Sequence, residues 1–582
     1  MQNLRALKPY FKRYRGTLLA GVVYILLSNG FTVYMPLAIR DAFNELQTEI
    51  TDEAILRYAL IIVGAAALGG FFRYHIRQTI IRVSRKIEYD LRQDLWEHIQ
   101  RLPLRFFNVN SVGDIMARCT NDVSAVRMFV GPAVMYSLDT LARLAIVVAI
   151  MISIDAAVTL YALLPLPILS YAVYAVGRRM HKRYTAVQDK FSELSTKAQE
   201  NYAGMKTVKS YLAEDREIDE FSRLGEEYLR KNMRLARIQA LFFPFLLLTS
   251  GVSIVVVVWA GGANVISGDL MIGDLTALTV YVGLLVWPVI ALGWVVHIVQ
   301  QGEAGMKRIL RVFNEPIAIA DDEKVDPTLT PTRGEIEFRD VTFKHSENAP
   351  PTLKNLSLAI PAGSTVAIMG KTGAGKSTLL DLIPRFAEPN EGAVLIDGRD
   401  VREYPLRALR GAVGFARQEA FLFSANVETN VAYALDEPDR ERVERAAEIA
   451  QFAPDVADMT DGYRTMIGER GVTLSGGQKQ RAAIARALLV DPLILLLDDS
   501  FSAVDTGTEE EILKGLRRFM KDRTSVIVCH RVSTAKEADF VVVIEDGKVA
   551  ERGTHDELIA RDGWYAEINR RQTLEKEIEE LD

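Results

Sequence analysis

The stretch TVAIMGKTGAGKSTLLD, residues 365–381, runs from an apolar strand into a glycine-rich turn and on into a helix. It carries the spacing G-x-x-x-x-G-K-S/T from Gly370 to Ser377. Glycine removes the side chains that would hold a phosphate away from the backbone, so the N–H groups of such a turn can surround the anion. The segment Gly370, Lys371, Thr372, Gly373, Ala374, Gly375, Lys376, Ser377 and Thr378 is therefore the candidate nucleotide-binding loop. Lys376 is placed for the β- and γ-phosphates and Ser377 for Mg²⁺. ATP and Mg²⁺ are the cofactors this pattern implies.

A second buried strand, LILLLDD at 493–499, ends in Asp498 and Asp499. A carboxylate at the end of a strand beside the phosphate loop suits a Mg²⁺ site, and Asp498 takes that role. Around these strands the chain reads as a soluble α/β domain. The whole chain has 582 residues, 49% hydrophobic and 25% charged, which is enough for two to four domains. Its net charge of −6 gives no basic excess for nucleic acid. Two cysteines far apart, Cys119 and Cys529, exclude a disulfide framework.

The first 300 residues differ in kind. Six runs approach the 20 or so apolar residues that a membrane span requires. They lie near 17–39, 55–76, 129–153, 156–177, 240–262 and 274–299. Arg57, Arg73, Asp139 and Arg143 interrupt the second and third; Asp139 and Arg143, four apart, read as an ion pair or as the polar wall of a substrate cavity. The N-terminal apolar run is too long for a signal peptide and is read as a retained first span. Lys and Arg crowd the N-terminus and the segments 77–128 and 178–239, while the intervening loops are acidic or uncharged. The positive-inside rule places the N-terminus, and after six crossings residues 300–582, in the cytoplasm of a multi-pass protein of the cell membrane. The two inner segments are helically periodic and predict helices that project beyond the bilayer.

LSGGQ at 474–478, followed by KQRAAIARALL, resembles the signature loop and helix of an ATP-binding cassette (ABC) protein. ARQEAFLF (416–423) resembles the Q-loop, SAVD (502–505) the D-loop, VCHR (528–531) the switch histidine and TMIGERG (465–471) the X-loop. With six spans ahead of them, these motifs are similar to a bacterial half-transporter of the B-subfamily, multidrug-exporter type. The fold class expected is a six-helix transmembrane domain with long intracellular helices (1–305), a linker (306–332) and an α/β P-loop domain (333–582). The resemblance implies ATP-driven export of an amphipathic substrate by a dimer in a lipid bilayer. Two such domains would meet head to tail, and Leu474, Ser475, Gly476, Gly477 and Gln478 would complete the partner's ATP site. Gln418 would sense Mg²⁺ and the attacking water, His530 would hold the γ-phosphate, and Ser502 and Asp505 would belong to the D-loop. Segments 106–126 and 200–221 resemble the coupling regions, the second docking on the partner's cassette.

Two positions depart from the family pattern. His345, in VTFKH, stands where an aromatic residue, most often Tyr, stacks on adenine. Asp499 stands where the family has the Glu that polarises the attacking water. A general base must come within about 2.6–3.2 Å of its proton, and Asp is shorter by one methylene, roughly 1–1.5 Å. Slow chemistry at this site is expected. In the family such a subunit is common in heterodimers, where it lends an intact signature to a competent partner; a slow homodimer is the alternative, and an ATP-gated channel or regulator a more distant one.

Overall fold

The computed structural model describes residues 2–47, 51–468, 471–504 and 506–579. They form two compact units, Met1–Gln100 with Val112–Glu315 and Arg101–Ser111 with Pro316–Asp582.

The first unit is helical. Its principal helices are α1 (Arg15–Leu46), α2 (Asp52–Ile76), α3 (Arg82–Arg101), α4 (Val134–Ile154), α5 (Ala156–Leu163), α6 (Pro165–Ala203), α7 (Glu214–Ser267) and α8 (Ile272–Phe313). Local chemistry sets their ends. The Thr51 hydroxyl accepts from Ala54 N at 3.3 Å, with Asp52 and Glu53 in the first turn of α2. The Asp155 carboxylate accepts from Val158 N at 2.8 Å and starts α5. Pro165 occupies the first turn of α6, where its missing N–H costs nothing. Gly268, at φ +87°, ends α7 in the left-handed region.

Five helical stretches among the described residues are long and apolar enough to cross a membrane: Arg15–Glu45, Asp52–Arg101, Val112–Ile154, Ser250–Ser267 and Ile272–Phe313. Five of the six expected spans overlap these. The sixth, 156–177, includes positions 166, 168–170 and 172–174, whose side chains lie outside the described set. α6 and α7 have 39 and 54 residues, far more than a bilayer requires, so α7 is about 80 Å long. Lys190 bridges Glu193 and Glu227 at 2.7 and 2.6 Å, and Lys197 bridges Glu217 and Glu220 at 2.7 Å each, tying α6 to α7. The buried Tyr281 of α8 donates to Val33 O of α1 at 2.8 Å.

The second unit holds two sheets. Strands β1 (Ile336–Phe343), β2 (Leu353–Ile360), β4 (Glu391–Ile396) and β5 (Arg399–Asp400) form an antiparallel sheet in the order β2-β1-β4-β5. Strands β3 (Thr365–Met369), β6 (Val413–Ala416), β7 (Ile494–Asp498), β8 (Thr524–Val528), β9 (Phe540–Glu545) and β10 (Lys548–Gly553) form a second, ordered β10-β9-β3-β8-β7-β6. All its pairings are parallel except β10 with β9. A parallel sheet is covered on both faces, which explains why β7 and β8 are buried at every position and why Ile, Leu and Val make up most of each. Side chains alternate between two cores. Ile494 and Leu496 join the core that holds Leu379 and Leu380; Leu495 and Leu497 face the helical core around Ile484 and Leu488. Each of these fully buried leucines contributes about 1.5–3 kcal/mol by leaving water.

Candidate functional site

That alternation places the chemistry. Asp498 follows Ile494 and Leu496 in the period of two and falls on the face covered by helix α9 (Lys376–Leu382). Ser377 Oγ donates to Asp498 Oδ1 at 3.0 Å across the C-terminal ends of β3 and β7. A slip of one residue in β7 would send Asp498 to the opposite core.

The loop between β3 and α9 requires glycine at two points. Gly370 has φ +145°, and a Cβ there would lie 2.2 Å from Ile544 O. Gly375 has φ +101°, and a Cβ would lie 2.8 Å from Leu353 Cδ2. Lys376, buried at the head of α9, donates from Nζ to Gly370 O at 2.8 Å and Lys371 O at 3.0 Å. Its ammonium therefore lies within the loop's own cradle. Burial pushes the Lys376 pKa down, opposed by Asp499 and Asp498. Lys371 points outward to Glu545 at 2.9 Å.

Asp499 begins the turn after β7. Its N–H donates to Val528 O at 3.0 Å and its φ is +45°, in the left-handed region. Gln418 Nε2 donates to Asp499 Oδ2 at 3.2 Å, and His530 Nε2 lies 4.0 Å from the same oxygen. The structure thus brings Lys376, Ser377, Gln418, Asp498, Asp499 and His530 together from segments scattered over 155 positions of the chain. Ser502 Oγ donates to Asp499 O at 2.9 Å; Asp505 lies outside the described residues, as do residues 469 and 470 of the X-loop. His345 is exposed, with its ring edge-on to Phe343 at 5.0 Å and Nε2 3.5 Å from Thr378 Oγ1.

The signature segment heads helix α10 (Gly476–Leu489). Ser475 caps it: Gln478 N donates to Ser475 Oγ at 3.3 Å and Ser475 N to Gln478 Oε1 at 2.9 Å, a reciprocal capping box. Gln478 and Arg481 also hold Asp455, the arginine at 2.9 and 2.8 Å. A Cβ on Gly477 would lie 2.9 Å from Ala503 O, so glycine lets α10 sit against the D-loop backbone.

Three further groups had no motif to announce them. Asp381, one turn beyond Ser377 on the same face of α9, is paired with Arg417, the residue before Gln418. The spacing Ser377 to Asp381 was a usable signal. Arg417 lies over the rings of Phe386 and Phe415 at 5.3 and 5.1 Å. Buried Glu509 accepts from Arg531 and from Thr534, at the start of and within the short helix Val532–Ala535 that follows His530. Gln572, on the C-terminal helix Trp564–Glu579, accepts from Val532 N and donates to His530 O, both at 2.8 Å, clamping the backbone that carries His530.

Burial pushes the carboxyls of Asp381, Asp498 and Asp499 above the usual range; for Asp499, His530 and Lys376 oppose the rise. The folded site then holds its protons more tightly than the unfolded chain, so ionisation costs stability as pH rises through the raised folded values. Asp498→Asn is expected to stabilise the nucleotide-free chain at pH 7, by on the order of 1 kcal/mol. The gain shrinks as pH falls toward the ordinary carboxylate value of about 3.9. Thermal unfolding at the two pH values reads it, and a loss of stability at pH 7 would refute it. A hydroxyl beside a carboxylate, with no cluster of three or more His, Cys, Asp or Glu side chains able to cage an ion among the described residues, suits Mg²⁺, which completes its shell with phosphate and water.

The chain matches the family profile described as ABC transporter transmembrane region over residues 16–289 and that described as ABC transporter over residues 353–502. It is 33% identical over 573 residues to the probable multidrug resistance ABC transporter ATP-binding/permease protein YheI of Bacillus subtilis, covering 98% of both chains. It is also 33% identical over 577 residues to the ATP-dependent lipid A-core flippase of Salmonella typhimurium, again covering 98% of both. Among solved structures it is similar to a bacterial Atm1-family ABC exporter with ATP bound, at TM-score 0.80 and 29% identity, covering 96% of this chain and 98% of the other.

Proposed function

Since this chain belongs to the ABC transporter family, we propose that it is one half of a dimeric exporter that moves an amphipathic molecule outward across the cytoplasmic membrane, and that its own ATP site is the slow one of a heterodimer. ATP hydrolysis coupled to transport follows from the family; the heterodimer rests on Asp499. The capping box at Ser475 leaves the signature segment formed and able to serve a partner, while the carboxylate after Asp498 is the shorter one.

In this reading the loop from Gly370 to Thr378 binds the phosphates, and Lys376 leaves its carbonyl partners to meet them. Ser377, Asp498 and Gln418 would hold Mg²⁺, which would supply positive charge against the phosphates. His345 lies against adenine. His530, its backbone held by Gln572, fixes the γ-phosphate and orients water. Ser475, Gly476 and Gly477 reach the partner's nucleotide, and Ser502 and Asp505 join the two sites. Closure follows ATP binding because each site is complete only when both domains contribute. The hairpin tip between α6 and α7 supports a docking role, since Tyr211 and Leu212 are 80% and 85% exposed. The N-terminus and the nucleotide-binding unit lie in the cytoplasm.

The test is to isolate the chain from its own membrane in lipid nanodiscs and identify what accompanies it by mass spectrometry. A second half-transporter with Glu after its Mg²⁺ aspartate is expected, together with ATP-dependent uptake of an amphipathic dye into inside-out vesicles. A homodimer with brisk turnover would overturn the heterodimer, and uptake indifferent to ATP would overturn the exporter. A homodimeric lipid flippase is the second reading, supported by the full-length similarity to the lipid A-core flippase.

A further inference from the structure

The third apolar stretch carries charge in its middle. Arg143 of α4 is only 9% exposed. Its Nη2 donates to Asp139 Oδ2 at 3.1 Å and its Nε to Asn29 Oδ1 of α1 at 3.1 Å. Fully buried Asn29 in turn donates from Nδ2 to Asp139 Oδ1 at 3.0 Å. This triad satisfies itself. Two of its members, Asp139 and Arg143, line a cavity of about 230 Å³ between α1, α2, α4 and α8, and Asn29 holds them from behind its lining.

Two other cations of the lining are not satisfied in this way. Arg73 and Arg77 line the same cavity, four residues apart at the end of α2. Neither forms an ion pair among the described residues. Like charges at this spacing repel, and uncompensated cations beside a membrane span are costly unless they serve a function. Arg77 opens a π-helical turn, Arg77–Ile81, a local widening common at functional sites. Three arginines against one aspartate leave the cavity with a formal charge of +2. Tyr136 and Trp287 complete the lining, and Trp287 is 61% exposed, offering an amphipathic ring beside the charge.

Size narrows the ligand. Pockets that enclose a whole drug-sized molecule run to about 300–1,000 Å³. A cavity of about 230 Å³ holds a headgroup and leaves an alkyl tail outside, against the helix surfaces. We propose that this cavity binds the anionic headgroup, a phosphate or carboxylate, of an amphipathic transport substrate. Arg73 and Arg77 are the residues that contact it, and the bonds among Arg143, Asp139 and Asn29 fix the other charged part of the lining. The inference rests on the exporter reading and gives it a substrate class.

The experiment uses the full chain in phosphatidylcholine nanodiscs and two probes with the same tail, dodecyl phosphate and dodecyltrimethylammonium. Binding is followed by intrinsic tryptophan fluorescence, with Trp287→Phe assigning the signal to the cavity. The phosphate is expected to bind at least tenfold tighter. Arg73→Ala with Arg77→Ala should weaken it by about tenfold or more, the scale of one lost charge-assisted hydrogen bond. Both arginines are exposed, so the pair of changes leaves the packing intact, and the two Lys replacements should recover part of the binding. Doping the nanodiscs with phosphatidic acid separates the sources: competition marks a membrane lipid as the ligand, and its absence a soluble amphiphile. Equal binding of the two probes, tighter ammonium binding, or indifference to the arginine changes would overturn the proposal. ATP-driven transport without any preference for anions would overturn it and leave the exporter standing. Anion-selective binding without ATP-driven movement would overturn the exporter and leave the site standing.

Discussion

Replacing Asp499 by Glu is expected to raise the ATPase rate of the reconstituted chain by about 10²-fold, because a misplacement of about 1 Å costs roughly that factor. Asp499 already has the neighbours that a water-polarising carboxylate needs. Gln418 lies 3.2 Å and His530 4.0 Å from its Oδ2, and Lys376 is close enough to oppose the rise in its pKa. What it lacks is length. The backbone bond from its N–H to Val528 O anchors the residue at the end of β7, so the carboxylate cannot advance by moving the chain. The added methylene extends it by roughly one carbon–carbon bond. A small thermal destabilisation should accompany the gain, since φ is +45° and Asp tolerates the left-handed region better than Glu. The rate and the melting temperature of the two chains, measured side by side in lipid with Mg²⁺, decide the matter. A wild-type chain that turns over briskly and is unchanged by the substitution would remove the basis for a degenerate site.

Lys376→Ala is expected to lower nucleotide affinity and any residual turnover by about 10²–10³-fold, the scale of losing one preorganised charged donor. The reason lies in where the ammonium is held. Its two carbonyl partners belong to the loop that would receive the phosphates, so the cation needs only a short movement to reach them. Burial already disfavours the charge, and an arriving phosphate compensates it better than two carbonyls do. Lys376→Arg should rescue poorly, since a planar fork does not fit a cradle closed by Gly370 and Gly375. Binding of a fluorescent ATP analogue to both variants provides the test. Affinity within threefold of wild type in the alanine variant would show that the loop backbone alone binds the nucleotide.

Much of the site was legible in the sequence because its parts are local. The phosphate loop is one strand, one turn and one helix, and its glycines are dictated by backbone conformation within a few residues. The cap at Ser475 needs only Gln478, three positions on. The apolar run of β7 announces a strand covered on both faces and points to the carboxylate at its end. The long helices between spans were equally plain, since their period persists far beyond the length of a bilayer.

Other features depend on partners far away in the chain, and no local pattern encodes them. Arg417 meets Asp381 from 36 positions away, Gln572 meets His530 from 42, and Asn29 meets Asp139 from 110. Each member alone is an ordinary polar residue on a helix or loop. The sequence by itself determined the two-part architecture and the phosphate-binding chemistry, because short-range geometry and hydrophobic period suffice for these; the departure at Asp499 was visible only against the family pattern that the motifs resemble. Only the tertiary structure decided which face of the sheet receives Asp498, what steadies the loop around His530, and that Arg73 and Arg77 share a cavity with Arg143. Those outcomes follow from how packed elements align, and packing brings together side chains whose separation along the chain carries no signal.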